Sequence, residues 1–422
     1  MIKQQLYQFL ALCAAIFCAA DTQAQTGRYI SPIFGNVTLT TNVQYGSAAP
    51  HNSTNLSPLA LDIYEPTGDT AALRPLVICI YGGSFIGGSK EAQDIRKWCD
   101  TLANLGYITV AHNYRVGFNP TQSGAVLRAG YRALQDTRAA VRFMKSNAAT
   151  YRIDTNQIFM VGNSAGAITA LQAAYINNSD RPSETYGIPT ATGLDTTDLL
   201  DIDSSTNTLA YSVNIKALVG LWGAILDTNA IDMNDNTNVL MIHGDQDATV
   251  PIDIGNALSS PAFPIVYGSR VLAPIINRMG MTAELEVYTG LDHNFYYTGS
   301  TFPNAYWDTI ANHGINFLCR QNTFCDQSMI NVISVNKQAQ EQPFRLFPNP
   351  AHSEFNLFFD QSYNLSDVSV QLLNVQGQIV AAPFTINEQG AVFNVQNLPN
   401  GVYLLQIKTP KGLAVQKVVV QN

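Results

Sequence analysis

The chain has 422 residues, 46% hydrophobic and 13% charged, with 31 acidic against 23 basic side chains and a formal charge of -8. That balance excludes an intrinsically disordered chain, and the length points to more than one folded unit. The acidic surplus argues against nucleic acid or an anionic membrane as partner, since both would repel it.

The amino terminus, residues 1–24, reads as a secretory signal. Lys3 supplies a basic start, residues 6–20 form an apolar run, and Thr22-Gln23-Ala24 offers a small-residue cleavage site. The run is short and Ala-rich, and nothing later is longer or more apolar, so no integral membrane span is expected. Two of the six cysteines, Cys13 and Cys18, leave with this segment.

Residues 25–325 alternate two kinds of pattern. Segments 76–81, 108–115, 158–162, 215–220, 239–243 and 285–288 are short, apolar and largely β-branched, as buried parallel strands are. Between them, 91–105, 129–149, 165–176, 270–279 and 305–319 carry helical periodicity. The alternation predicts an α/β unit, a mostly parallel sheet with helices on both faces, and strands near 35–45 and 59–65 would form an antiparallel edge. Residues 178–214 break the rhythm with Asp180, Glu184, Asp195, Asp198, Asp201 and Asp203 against Arg181. They read as a solvated surface loop, or as a rim or lid over the site described below; their spacing fits no calcium loop.

Cys79 and Cys99 fall in an apolar strand and a helix, where buried thiols are expected. Cys319 and Cys325 bracket a short loop, a spacing that favours a local disulfide in an oxidising compartment. With no Cys or His cluster beside them, no metal site is expected. Residues 326–343 are polar and Gln-rich, a linker. Beyond it, 344–422 change to two-residue alternation, with strands at 354–359, 368–375, 391–395, 402–408 and 413–420: a small all-β, sandwich-like domain.

The chemistry concentrates in the α/β unit. Gly162-Asn163-Ser164-Ala165-Gly166 follows an apolar strand and opens a helix. A sharp turn there lifts the Ser164 hydroxyl into the open, and the helix N-terminus favours developing negative charge. A serine alcohol needs a base, and in such turns the histidine comes later in the chain, which leaves His293, His313 and His352 of the six present. His313 sits in a helical pattern and His352 in the β domain, whereas His293 lies in a loop after the strand at 285–288. His293 is therefore the expected base. Asp245, Asp247 and Asp292 are the acids available to orient it. Tyr81-Gly82-Gly83-Ser84-Phe85 follows the strand at 76–81, and its glycines let backbone N–H groups converge. The N–H groups of Gly83 and Ser84, joined by that of Ala165, are expected to hold a tetrahedral oxyanion. Phe85 and Trp222 are candidates for an acyl pocket.

Together these motifs resemble the carboxylesterase and hormone-sensitive-lipase-like branches of the α/β-hydrolase superfamily, over residues 55 to 320. His243-Gly244-Asp245-Gln246-Asp247-Ala248-Thr249-Val250-Pro251 is similar to the H-G-x-x-D-x-x-V-P stretch of that family, which implies Asp247 as the acid. Asn113-Tyr114-Arg115 looks like its D-Y-R segment, and Tyr81-Gly82-Gly83-Ser84 stands where relatives carry H-G-G-G. Departures are Asn113 for Asp, Tyr81 for His, and the insertion at 178–214. The resemblance implies a serine esterase that works through an acyl-enzyme without cofactor. Its substrate would be a small ester or an acylated polysaccharide, including feruloyl groups of plant polysaccharide.

Phe347-Pro348-Asn349-Pro350 and Leu398-Pro399-Asn400-Gly401-Val402-Tyr403 resemble the C-terminal sorting domain of type IX secretion. That implies type IX secretion machinery as a partner and a secreted or cell-surface location. Two other functions share parts of this pattern. A prolyl-oligopeptidase-like serine peptidase has the same triad order, but too short a stretch precedes the first strand for its propeller. A non-catalytic binding protein would not need Ser164, Asp247, His293 and the glycine loop intact.

Overall fold

The computed structural model describes residues 27–329, apart from Ser123 and 188–194, and residues 344–421, apart from 360–367, 375–377, 388–389 and 410–411. The signal segment at 1–24 and most of the linker expected at 326–343 lie outside the described residues. The chain divides into two compact units, Met1–Ile330 and Asn331–Asn422.

The first unit is built on one eight-stranded sheet. Its elements in chain order begin with β1 (Val37–Ala48), β2 (Ser57–Pro66), β3 (Arg74–Ile80), α1 (Gln93–Asn104), β4 (Ile108–His112), α2 (Ala125–Ser146), β5 (Ile153–Asn163) and α3 (Ala165–Tyr175). Then come β6 (Ala217–Leu221), β7 (Ala224–Ile225), β8 (Asn238–Gly244), β9 (Ile254–Asn256), β10 (Ile265–Gly268), α4 (Ser269–Arg278), β11 (Ala283–Tyr288) and α5 (Tyr306–Gln321). The strands lie in the order β1-β2-β4-β3-β5-β6-β8-β11. From β4 to β11 every pair is parallel, while β1 and β2 pair antiparallel at one edge. The predicted α/β sheet and its antiparallel edge are both present.

Every residue of β3, β4 and β6 is buried, which is why these strands read as unbroken apolar runs rather than alternations. Parallel pairing sets the carboxyl ends of β3, β5, β8 and β11 along one edge of the sheet. The glycine loop, Ser164, Asp247 and His293 all follow those ends, so segments up to 210 residues apart are delivered to one place by topology alone. A three-stranded sheet, β7-β10-β9, was not foreseen; its strands have two to four residues, too few for a period to register.

Most described residues of the insertion at 178–214 are exposed or half-buried, as in a solvated loop, but parts of it are tied down. Two of its acidic residues, Asp195 and Asp203, are held by arginines on α2. Asp195 is buried and accepts from Arg128 Nε at 3.0 Å and Arg132 Nη1 at 2.7 Å. Asp203 pairs with Arg138 at 2.7 Å and with Arg142, and Asp198 with Arg181. Among the described residues no group of His, Cys, Asp and Glu is placed to hold a metal. Cys319 and Cys325 form a disulfide across 5.4 Å between Cα atoms, and Cys79 and Cys99 are buried and free.

The second unit has two antiparallel sheets. Four strands, Phe344–Phe347, Glu354–Phe359, Gly390–Asn394 and Phe384–Asn387, form one in that order. Ser369–Leu373, Gly401–Thr409 and Gly412–Val420 form the other. Phe355 and Leu357 from one sheet and Leu405 and Ile407 from the other meet in a shared core, each pair two residues apart as strand alternation requires. The first and last strands of the four-stranded sheet were missing from the sequence reading. No helix among the described residues is long and apolar enough to cross a membrane.

Candidate active site

The turn after β5 is as tight as its glycines suggest. A Cβ on Gly162 would overlap the Gly166 carbonyl, and one on Gly166 would overlap the Ile80 carbonyl of β3. Ser164 sits between them at φ 53°, ψ -123°, a conformation that costs an ordinary residue about 1–3 kcal/mol and persists only where neighbours impose it. Those neighbours are visible. The Ser164 N–H donates to Leu221 O at 2.9 Å. The Asn163 amide donates to Tyr296 Oη at 3.0 Å and to the Asp94 carboxylate. Tyr296 Oη in turn donates to Asp94 at 2.6 Å. Burial pushes the Asp94 carboxyl up, against the hydrogen bonds from Tyr296 and the Ile95 N–H. This anchor escaped the sequence reading because its members lie 69 and 202 residues apart and match no local pattern.

The structure brings Ser164, His293 and Asp247 together. His293 Nε2 is 2.9 Å from Ser164 Oγ, and His293 Nδ1 is 2.7 Å from Asp247 Oδ2. Asp247 Oδ1 accepts from the N–H groups of Thr249 at 2.9 Å and Val250 at 2.8 Å. His243, at the end of β8, presents Nε2 to Val250 O at 2.9 Å and to Asp247 Oδ2 at 3.2 Å. Both are acceptors, so Nε2 carries the proton, and Nδ1 accepts from Ser269 Oγ at 2.8 Å. Burial alone would raise the Asp247 carboxyl, but hydrogen bonds from His243 and His293 outweigh it and bring it down to about 2. Asp247 is thus a fixed anion beside the imidazole.

The competing acids do other work. Asp245 accepts from Gly290 N–H at 2.7 Å, and Asp292 from Ala248 N–H at 3.0 Å. The two bonds run in opposite directions between the loops after β8 and β11 and hold them together. His313 lies 3.6 Å from Glu286, and His352 belongs to the second unit.

The glycine loop after β3 lies against the serine: a Cβ on Gly82 would come within 3.0 Å of Ser164 Cβ. Gly83 (φ 128°), Ser84 (φ 54°) and Phe85 (φ 61°) all have positive φ, which curls the loop over the site. Among the described residues the N–H groups of Gly83 and Ser84 have no acceptor, and that of Ala165 opens α3, where no earlier carbonyl is in reach. Tyr81, in place of the family's histidine, stacks on Tyr114 at 4.2 Å between centroids. Tyr114 Oη donates to Tyr81 O at 2.9 Å, so the two motifs brace one another.

An apolar cleft opens beside Ser164. Phe85 lines it, as expected; Trp222 does not. Trp222 is fully buried and packs edge-on against His293, Phe295 and Tyr296 at 5.9, 5.0 and 4.8 Å. It backs the imidazole. The walls missed by the sequence reading come from Val126 and Leu127 of α2, Ile168 and Gln172 of α3, and Phe263 and Val266 around β10. Ile168 and Gln172 stand four and eight residues beyond Ser164, a spacing that marks one helix face.

Residues 61–261 match the BD-FAE family, and residues 345–421 match the secretion system C-terminal sorting domain. Carboxylesterase 3B of Mus musculus is 37% identical over 113 residues, 26% of this chain and 19% of that protein. A probable isoprenylcysteine alpha-carbonyl methylesterase of Oryza sativa subsp. japonica is 29% identical over 43% of this chain and 38% of its own length. The chain thus spans well under half the length of these curated relatives. The solved esterase 2 of Thermogutta terrifontis, phosphoramylated by tabun, aligns at 18% identity and TM-score 0.46, covering 68% of this chain and 96% of that one. The sorting domain directs its carrier to the cell surface or beyond. Residues 61–261 thus carry a BD-FAE domain, of the α/β-hydrolase esterase kind, and residues 345–421 a secretion system C-terminal sorting domain.

Proposed function

We propose that this protein is a secreted serine carboxylesterase in which Ser164 is the nucleophile, His293 the general base and Asp247 the orienting acid. The observation that carries the reading is the continuous chain of hydrogen bonds Ser164–His293–Asp247, at 2.9 and 2.7 Å, beside the Gly83 and Ser84 N–H groups, which have no acceptor among the described residues. His293 Nε2 takes the Ser164 proton as Oγ attacks the ester carbonyl. The oxyanion is held by the N–H groups of Gly83, Ser84 and Ala165, while Asp247 stabilises the imidazolium. The same proton passes to the leaving alkoxide, which departs as alcohol. Water, deprotonated by His293, then attacks the acyl-enzyme and releases the acid.

The catalytic domain spans residues 25–325, followed by a linker to 343 and a sorting domain at 344–422 that engages the type IX secretion machinery. Export makes acyl or feruloyl esters of extracellular plant polysaccharide the natural substrates to test first. The test of the reaction is hydrolysis of p-nitrophenyl butanoate by the parent and by Ser164→Ala. The variant loses more than about 10³-fold in kcat. Hydrolysis at the parent rate by Ser164→Ala would overturn the assignment.

A further inference from the structure

The cleft has a polar end. Ser164, Ile168 and Gln172 all line it, at positions i, i+4 and i+8 of one helix face. Gln172 therefore stands two turns beyond the serine, about 12 Å along the axis of α3. Apart from Ser84 and Thr249 the rest of the lining is apolar, and no charged side chain contributes to it among the described residues. Gln172 is 3% exposed, yet its side-chain amide has no hydrogen-bond partner among the described residues. Glutamines elsewhere in this unit behave otherwise: buried Gln135 gives its amide to Leu199 O at 2.7 Å, and buried Gln157 accepts from Lys216 at 3.1 Å. The amide faces the cleft with no protein partner, so a ligand group can take the place of water there.

Direction follows from the catalytic groups. The leaving alcohol must lie toward His293 Nε2, which protonates it, and His293 does not line the cleft. The cleft is left for the acyl group. The chemistry at its far end is also constrained. An amide both donates and accepts, so a neutral hydroxyl satisfies it fully. A carboxylate would be desolvated there without a countercharge, and a plain methyl end would leave the amide unpaired.

We propose that Gln172 is a specificity-determining residue that reads a hydroxyl group at the distal end of an elongated apolar acyl group. This rests on Ser164 being the nucleophile of an esterase. The full chain is assayed on p-nitrophenyl butanoate, hexanoate and octanoate and on their ω-hydroxy counterparts, and the ratio of kcat/KM, hydroxylated over plain, is read at each length. The ratio rises with length to about tenfold, the factor expected for one buried hydrogen bond, and falls to one or below in both Gln172→Leu and Gln172→Met. A parent ratio near one at every length, or a ratio that survives both substitutions, would overturn the proposal. A parent that cleaves none of the plain esters would instead remove the esterase reading, and this inference with it.

Discussion

Asp247 is the residue whose surroundings decide the most. It receives two side-chain and two backbone hydrogen bonds, more than any geometric orienter of an imidazole needs. The surplus holds the anion against burial and fixes the proton of His293 on Nδ1, leaving Nε2 free to accept from Ser164. Asp247→Asn replaces the acceptor by an amide that cannot hold this tautomer, and kcat falls by about 10³–10⁴-fold with KM little changed. Asp245→Asn keeps an oxygen that can accept from the Gly290 N–H and costs less than about tenfold, measured in the same assay. Equal losses in the two variants would show that the wrong carboxylate was chosen. The pH dependence has a definite sign. A carboxyl at about 2 in the fold and 3.8 outside it adds about 2 kcal/mol that is fully present above pH 3.8 and is lost as pH falls toward 2. Urea denaturation followed from pH 6 to pH 3 therefore shows a shallower acid loss in Asp247→Asn than in the parent. Single residues were legible in the sequence wherever chemistry leaves a local signature. Ser164 has its glycines and His293 its loop. Trp222 was misplaced because an aromatic after a strand looks the same whether it faces a cleft or packs on the His293 ring. Asp94 and Tyr296 left no signature at all.

At the scale of elements, α2 explains both the insertion and one wall of the cleft. Four arginines on this helix take up the carboxylates of Asp195 and Asp203, and the same helix sets Val126 and Leu127 against the cleft. Asp195→Asn leaves Arg128 and Arg132 buried without their counterion, and stability falls by about 3–5 kcal/mol, read as a lowered Tm. Because the wall moves with the helix, KM rises more for octanoyl than for acetyl esters. An unchanged Tm would show that the pairs contribute nothing. The helices and buried strands were readable from their periods, since each extends over enough residues to show one. The pairing of Asp195 with α2 was not, because the acidic segment alone has the composition of a solvated loop. Charge partners more than 60 residues away decide between the two. The strands β7, β9 and β10 were invisible for the opposite reason: they are too short to carry a pattern.

For the whole molecule, the sheet gathers at one edge what the sequence scatters between Gly82 and His293, and the change of period after residue 343 marks where the α/β unit gives way to the all-β one. The second unit holds neither Ser164 nor either of its partners. A chain ending at residue 329 therefore keeps the parent kcat/KM on p-nitrophenyl butanoate and fails to leave the cell; loss of activity on truncation would contradict that division. The central claim is that Ser164 is made nucleophilic by His293. Labelling the intact chain with a fluorophosphonate, then locating the adduct by peptide mass spectrometry, measures it directly. One adduct at Ser164, formed in the parent and absent in His293→Ala, is the predicted result. An adduct on another residue, or undiminished labelling of Ser164 without His293, would contradict it.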